Sequence, residues 1–105
     1  MKKKKLGILL STPPQNKNWG TVVNLAREAR KQGIETYLYL IDDGVHHLSS
    51  QEITVLTQSG VNLFACAYSA QRRSIPFDHN ATIAFSGLVA LSDLIKGCDR
   101  FITLN

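Results

Sequence analysis

The sequence predicts an α/β protein built on a mainly parallel sheet of four or five strands. Two observations carry the prediction. Apolar runs of strand length, at residues 6–10, 35–41, 61–66 and 100–104, alternate with segments whose apolar residues recur at helical spacing. The connections between them are short and hold the glycine, proline and aspartate that stop one element and start the next. Strands and helices alternating in this way form parallel sheets, and right-handed crossovers place helices on both faces. At 105 residues the chain is expected to form one domain over residues 1–105, without room for a second core.

The first run, residues 6–10, ends in Ser11-Thr12-Pro13-Pro14, where proline removes ladder donors and blocks extension. From residue 19 to 32, Val22, Leu25, Ala26 and Ala29 recur at i, i+3, i+4 and i+7, which is one helical face. Arg27, Arg30 and Lys31 lie off that face or in the last turns, where they complement the helix dipole, and Gly33 suits the left-handed position past the helix end. The run ETYLYLI at residues 35–41 is rich in aromatic and branched side chains, and Asp42-Asp43-Gly44 closes it as a turn. Ser49 and Glu52 match a capping box, with Leu48 and Ile53 as the hydrophobic staple, for a helix reaching residue 59 and stopped by Gly60. Residues 61–66 form a third strand, and residues 67–73 one or two helical turns. After a loop at Pro76, Thr82 is expected to cap a helix to residue 96, with Ile83, Gly87, Ala90, Leu91 and Leu94 on its core face and Gly97 as its stop. Residues 100–104 form the last strand.

Charge and targeting exclude several function classes. The formal charge is +4, yet residues 2–5 are four lysines, and the eight remaining basic residues balance the eight acids. The excess is one N-terminal run, read as a solvated tail or strand edge and not a nucleic-acid face, so no direct nucleic-acid contact is expected. The opening MKKKKLGILLS superficially resembles a secretion signal, but its apolar stretch is shorter than the ~7–15 residues such a core needs. No segment approaches the ~20 apolar residues of a membrane helix, and no membrane association is expected. A cytoplasmic protein follows, with its two cysteines as thiols.

In a parallel sheet, ligands and reactive groups collect where strand C-termini meet helix N-termini. Cys66 holds such a place between an apolar run and Arg72-Arg73. A helix starting after it would turn the N–H groups of Tyr68 and Ser69 toward the sulfur, and thiolates are favoured by such donors and by nearby cations. Arg72 and Arg73 stand about two turns further along at ~1.5 Å per residue, so they reach the sulfur only by folding back, or else serve a partner chain or an anionic ligand. The other reading of Cys66 is a small buried residue, since free cysteine is among the most buried types. Tyr68 either gates the thiol or lines a contact between subunits. Cys98 falls at the opposite pole of a parallel sheet and is taken as structural, out of disulfide range of Cys66. His46, His47 and His79 lack metal-ligand spacing and read as surface or interface histidines, although one from the second loop could approach Cys66 as a base. Neither a metal nor a cofactor is expected.

The stretch Cys66-Ala67-Tyr68-Ser69-Ala70-Gln71-Arg72-Arg73 resembles the cysteine segment of the DsrE/DsrF-like family, which includes TusD-type sulfur-relay subunits. GILLSTPP at residues 7–14, YLYLIDDGV at 37–45 and FSGLVALSDLIKGCDRFITL at 85–104 fit the same family in the same order. The resemblance implies a three-layer α/β/α sandwich and assembly into trimers or hexamers, with like or related subunits. For catalytic members it also implies a cysteine, here Cys66, that carries sulfane sulfur as a persulfide between donor and acceptor proteins. Arg72 and Arg73 would supply positive charge at the site or at a docking surface. One departure is Ser74, where the family has glycine after Arg-Arg; a left-handed helix end there costs serine more than glycine. The leading expectation is thus a sulfur-relay protein. A non-catalytic oligomeric member that binds a small ligand or partner protein is the alternative, and a flavin or nucleotide binder has the fold class but no phosphate loop.

Overall fold

The computed structural model describes residues 3–76 and 83–105. In chain order these form β1 (Lys5–Leu10), α1 (Asn18–Lys31), β2 (Glu35–Leu40), a 3-10 segment (Asp42–Ser49), α2 (Gln51–Gln58), β3 (Asn62–Cys66), α3 (Ala67–Arg72), β4 (Ile83–Ser86), α4 (Leu88–Gly97) and β5 (Arg100–Leu104). The strands make one five-stranded sheet in the order β4-β3-β2-β1-β5, with every pairing parallel. Helices flank this sheet, and the predicted α/β class is the observed one.

Alternation along the strands sorts side chains to the two faces. Leu6, Ile8 and Leu10 of β1, Leu38 and Leu40 of β2, and Leu63 and Ala65 of β3 join Val22, Ala26 and Ala29 of α1 and Ile53 and Leu56 of α2 in the main core. The i, i+4, i+7 spacing of the α1 residues puts them on one stripe, and that stripe is buried. Gly33, at φ +76°, turns the chain out of α1, and the N–H of Ile34 closes on the Ala29 carbonyl at 3.0 Å. Two boundaries differ from the sequence reading. The cap of α2 is Ser50, not Ser49: its Oγ accepts from the Glu52 N–H at 3.1 Å and donates to the Glu52 carboxylate at 2.6 Å. Either serine precedes Glu52 closely enough to cap, and the 3-10 segment uses Ser49 as its last residue. Ile83–Ser86 is a strand, not the first turn of a helix, and α4 begins only after Gly87. A four-residue segment with three apolar side chains fits either period, so spacing alone could not separate them. Thr82, the expected cap, lies outside the described residues.

The opposite face is covered differently. Only α4 crosses it among the described elements, and none of its residues is fully buried. Ala90 and Leu94 stand over Tyr37 and Phe64, leaving a groove of about 300 Å³ bounded also by Lys5, Asp93, Gly97 and Cys98. Ile75, after α3, packs against the α1/α2 core, whereas the chain leaving β4 passes to the other face through α4. The chain therefore leaves β3 and β4 toward opposite faces, and the C-terminal residues of those neighbours, Cys66 and Ser86, pair in register. Sheets of this kind open a crevice at such a point. Among the described residues no helix is long and apolar enough to cross a membrane.

Candidate functional site

Cys66 is the last residue of β3 and, with φ −68° and ψ 116°, the N-cap of α3. Its Sγ accepts a hydrogen bond from the Ser69 N–H at 3.4 Å. Cysteine thus takes the capping role usually filled by serine or aspartate, which leaves the sulfur facing a backbone donor. The Ser69 hydroxyl in turn accepts from the Asp42 N–H at 2.9 Å and ties the start of α3 to the 3-10 segment. Asp42 itself sits at φ 52°. In the isolated chain Cys66 is only 5% exposed.

The structure brings Cys66 and Ser69 together and sends the other three predicted residues elsewhere. Tyr68 is 64% exposed, and Arg72 lies 5.7 Å from its ring centroid while donating to its hydroxyl at 3.1 Å. Arg73 pairs with Asp43 at 3.0 Å and donates to the Ser69 carbonyl at 3.3 Å. Neither guanidinium is hydrogen-bonded to Cys66. Arg73 instead clamps α3 to the 3-10 segment, an exposed pairing worth about 0–1 kcal/mol.

Three neighbours of Cys66 were not singled out by the sequence. Tyr39, fully buried, donates to the carbonyls of Gly87 at 3.1 Å and Ser86 at 3.4 Å. Burial pushes its phenol up; the nearby Ser86 side-chain hydroxyl opposes this, and the adjacent Cys66 reinforces it. The Ser86 hydroxyl is buried close to that phenol, without a well-formed hydrogen bond among the described residues. Strand alternation places Tyr39 and Cys66 on one face and was available from sequence; β4 was not, so Ser86 and Gly87 could not be joined to them.

The histidines correct an expectation. His47 is not at the surface but fully buried, stacked on Trp19 with centroids 4.1 Å apart. Its Nε2 donates to the Thr12 carbonyl at 2.9 Å, which makes Nδ1 the unprotonated nitrogen, and Nδ1 has no partner among the described residues. Burial holds its pKa below the usual histidine value. It is a buried residue of the 3-10 segment that pins the loop following β1, not a base for Cys66. His46 is exposed beside Pro13, Pro14 and Asp43, and His79 lies outside the described residues. Among the described residues no group of three His, Cys, Asp or Glu could hold a metal ion. Cys98, the other free thiol, is at the far end of the sheet against Gly7, and burial pushes its pKa up.

A model of the DsrE/DsrF-like family matches residues 4–104. The chain belongs to the DsrE/DsrF-like family. Solved structures agree at the level of the fold. The ychN protein from E. coli superposes with a TM-score of 0.82 at 20% identity, covering 98% of this chain and all of that one. BT1422 from Bacteroides thetaiotaomicron, a conserved protein of unknown function, gives a TM-score of 0.76 at 20% identity over 96% of this chain and 95% of its own. No curated protein matches the sequence. In this DsrE/DsrF-like chain, Cys66 and Ser86 are thus placed where the chain leaves neighbouring strands toward opposite faces, with Ser69 and Tyr39 supplying donors nearby.

Proposed function

We propose that the chain is a cytoplasmic sulfur-relay protein in which Cys66 carries sulfane sulfur as a persulfide. The observation that carries this reading is the Ser69 N–H directed at the Cys66 sulfur at 3.4 Å, at the junction of β3 and α3. Family membership supports it. In the transfer, the Cys66 thiolate attacks the terminal sulfur of a donor persulfide. A new S–S bond forms at Cys66, the donor's S–S bond breaks, and its electron pair leaves on the donor thiolate, which takes up the proton Cys66 gave away. No net oxidation occurs, and the reverse step hands the sulfur to an acceptor thiol. Tyr68, with Arg72 against its ring, is exposed two residues from Cys66 and is the place where donor and acceptor proteins would dock. Assembly into a trimer or hexamer, of like or related subunits, would cover Leu88 and Val89, which α4 leaves 66% and 77% exposed.

One observation favours a second reading, a non-catalytic oligomer that binds a small ligand or partner protein: Cys66 is buried in the isolated chain, and both arginines are engaged away from it. Intact-mass analysis after incubation with glutathione persulfide, followed by peptide mapping, separates the two. The relay reading expects a gain of one sulfur on Cys66, reversed by reductant, lost in Cys66→Ser and kept in Cys98→Ser. A folded protein that takes no sulfur on Cys66 would move the assignment to the binding module.

A further inference from the structure

We propose that Tyr39 is a hydrogen-bond switch for Cys66: its hydroxyl donates to backbone carbonyls while the sulfur is a neutral thiol and turns to the sulfur when the sulfur is anionic. The inference rests on the reading of Cys66 as a persulfide carrier and names a second residue that acts on the reacting atom.

The geometry follows from the register of three strands. Tyr39 pairs with Phe64 across β2 and β3, and the two rings stack at 6.3 Å with planes 10° apart. That stacking directs the phenol across β3 toward the end of β4, where its hydroxyl meets the carbonyls of Ser86 and Gly87 at 3.4 and 3.1 Å. Cys66 lies two residues beyond Phe64 on the same face and pairs with Ser86. The hydroxyl and the thiol are therefore neighbours, and a charged Cys66 pushes the ionisation of the phenol up.

A tyrosine hydroxyl has one proton to donate. A thiol is a weak acceptor, so the proton goes to Gly87 or Ser86 while Cys66 is protonated. A thiolate or persulfide anion is a charged acceptor, and hydrogen bonds to charged groups are about twice as strong as neutral ones. Burial keeps the phenol protonated, so the donor is always present. The buried Ser86 hydroxyl, in register with Cys66 and without a well-formed hydrogen bond among the described residues, is a second donor available to the same charge. The proton released by Cys66 does not stay on Tyr39; it ends on the leaving thiolate of the donor.

The test uses Tyr39→Phe, which keeps the ring and its stacking, in a Cys98→Ser background. The rate of Cys66 alkylation by iodoacetamide is followed against pH. The switch predicts a profile displaced to higher pH by at least about half a unit, or roughly threefold slower alkylation near neutrality, and a smaller displacement the same way in Ser86→Ala. An unchanged profile in Tyr39→Phe overturns it. If Tyr39→Phe does not fold, the phenolate absorbance of the wild type is titrated with Cys66 free and with Cys66 capped as a neutral mixed disulfide. Capping should then lower the titration of one tyrosine, and no change overturns the proposal. Sulfur loading of the wild type judges the relay separately: loading with an unchanged Tyr39→Phe profile removes the switch and leaves the relay standing, whereas a displaced profile without loading removes the relay alone.

Discussion

The two ends of the sheet hold the same chemical group in opposite surroundings. Cys98, at the N-terminal ends of the strands, packs on Gly7 and sits near Lys5, Asp99 and Glu35; burial comes first in pushing its thiol up, and the two carboxylates add to it. Cys66, at the C-terminal ends, faces a backbone N–H, and the Tyr39 hydroxyl lies beside it. The backbone differs in the same direction. α1 and α2 close on glycine at the left-handed position, Gly33 and Gly60, whereas the two segments tied to Cys66, the 3-10 segment and α3, use Asp42 at 52° and Ser74 at 55°. Left-handed backbone is easy for glycine and strained for other residues, and such strain clusters at working sites. One end is built for unstrained closure. The other holds a thiol with donors at the expense of backbone comfort.

The largest effect expected from this contrast is at Gly44, in the 3-10 segment that supports Ser69. A Cβ there would lie 2.2 Å from the Leu10 carbonyl oxygen, and the strand cannot move aside without breaking its ladder. Gly44→Ala should cost about 3 kcal/mol or more, by the overpacking rule. Gly7 is the counterpart at the other end, where a Cβ would meet the Phe101 ring at 2.6 Å. A side chain at the sheet's thinly covered face can give, so Gly7→Ala should cost less, about 1–2 kcal/mol. Urea unfolding of both variants checks the order, and a reversal would mean that the Cys66 end is the more yielding.

The ends should also fail at opposite extremes of pH. His47 titrates below the usual histidine value in the folded chain because burial disfavours its charge. The unfolded chain then binds the extra proton first, so stability is present above about pH 6.5 and is lost as pH falls through the lower folded value. The Trp19 ring stacks on it and the Thr12 carbonyl accepts from it, with His46 opposing and Glu52 favouring the charge. Cys98 and Tyr37 behave the other way. Cys98 is raised by burial, and Tyr37 is pushed up to about 12 by its hydrogen bond to Glu35. The folded chain holds their protons longer, so stability is lost as pH climbs above about 8.5 and then about 10. His47→Gln, whose amide can still donate to Thr12, should flatten the acid side of a plot of urea midpoint against pH, and Cys98→Ser the first part of the alkaline side. Flattening on the wrong side would break the comparison.

These results also show what the sequence could and could not convey. The stripe of Val22, Ala26 and Ala29, and the apolar runs that became β1, β2, β3 and β5, are local periodicities and survive folding unchanged. Cys66 at a strand–helix junction is local in the same sense. Its surroundings are not. The carbonyls that hold the Tyr39 hydroxyl beside it come from the end of β4, a strand too short to be told from the helix that follows it, and the buried place of His47 depends on Trp19 and Thr12 from a separate part of the chain. Arg72 and Arg73 were placed correctly along α3, but long flexible side chains choose partners by tertiary reach, and theirs are Tyr68 and Asp43.

The smallest expected effect bears on the backbone contrast most directly. Ser74 ends α3 at φ 55°, with its N–H on the Gln71 carbonyl at 3.1 Å and Ile75 closing on Ala70 at 2.9 Å. The left-handed conformation costs a residue with a Cβ roughly 1–2 kcal/mol. Glycine escapes that cost but gives up roughly 0.5–1 kcal/mol of chain entropy on folding. Ser74→Gly should therefore stabilise the fold by about 0.5–1 kcal/mol, read as a rise in urea midpoint at unchanged slope. Gly33→Ser, the same exchange in reverse at the other end, should destabilise by a similar amount. A gain at Ser74 with slower sulfur loading of Cys66 would tie the strain to the site. A gain with loading untouched would make Ser74 a tolerated defect, and the contrast between the two ends would then rest on Asp42 alone.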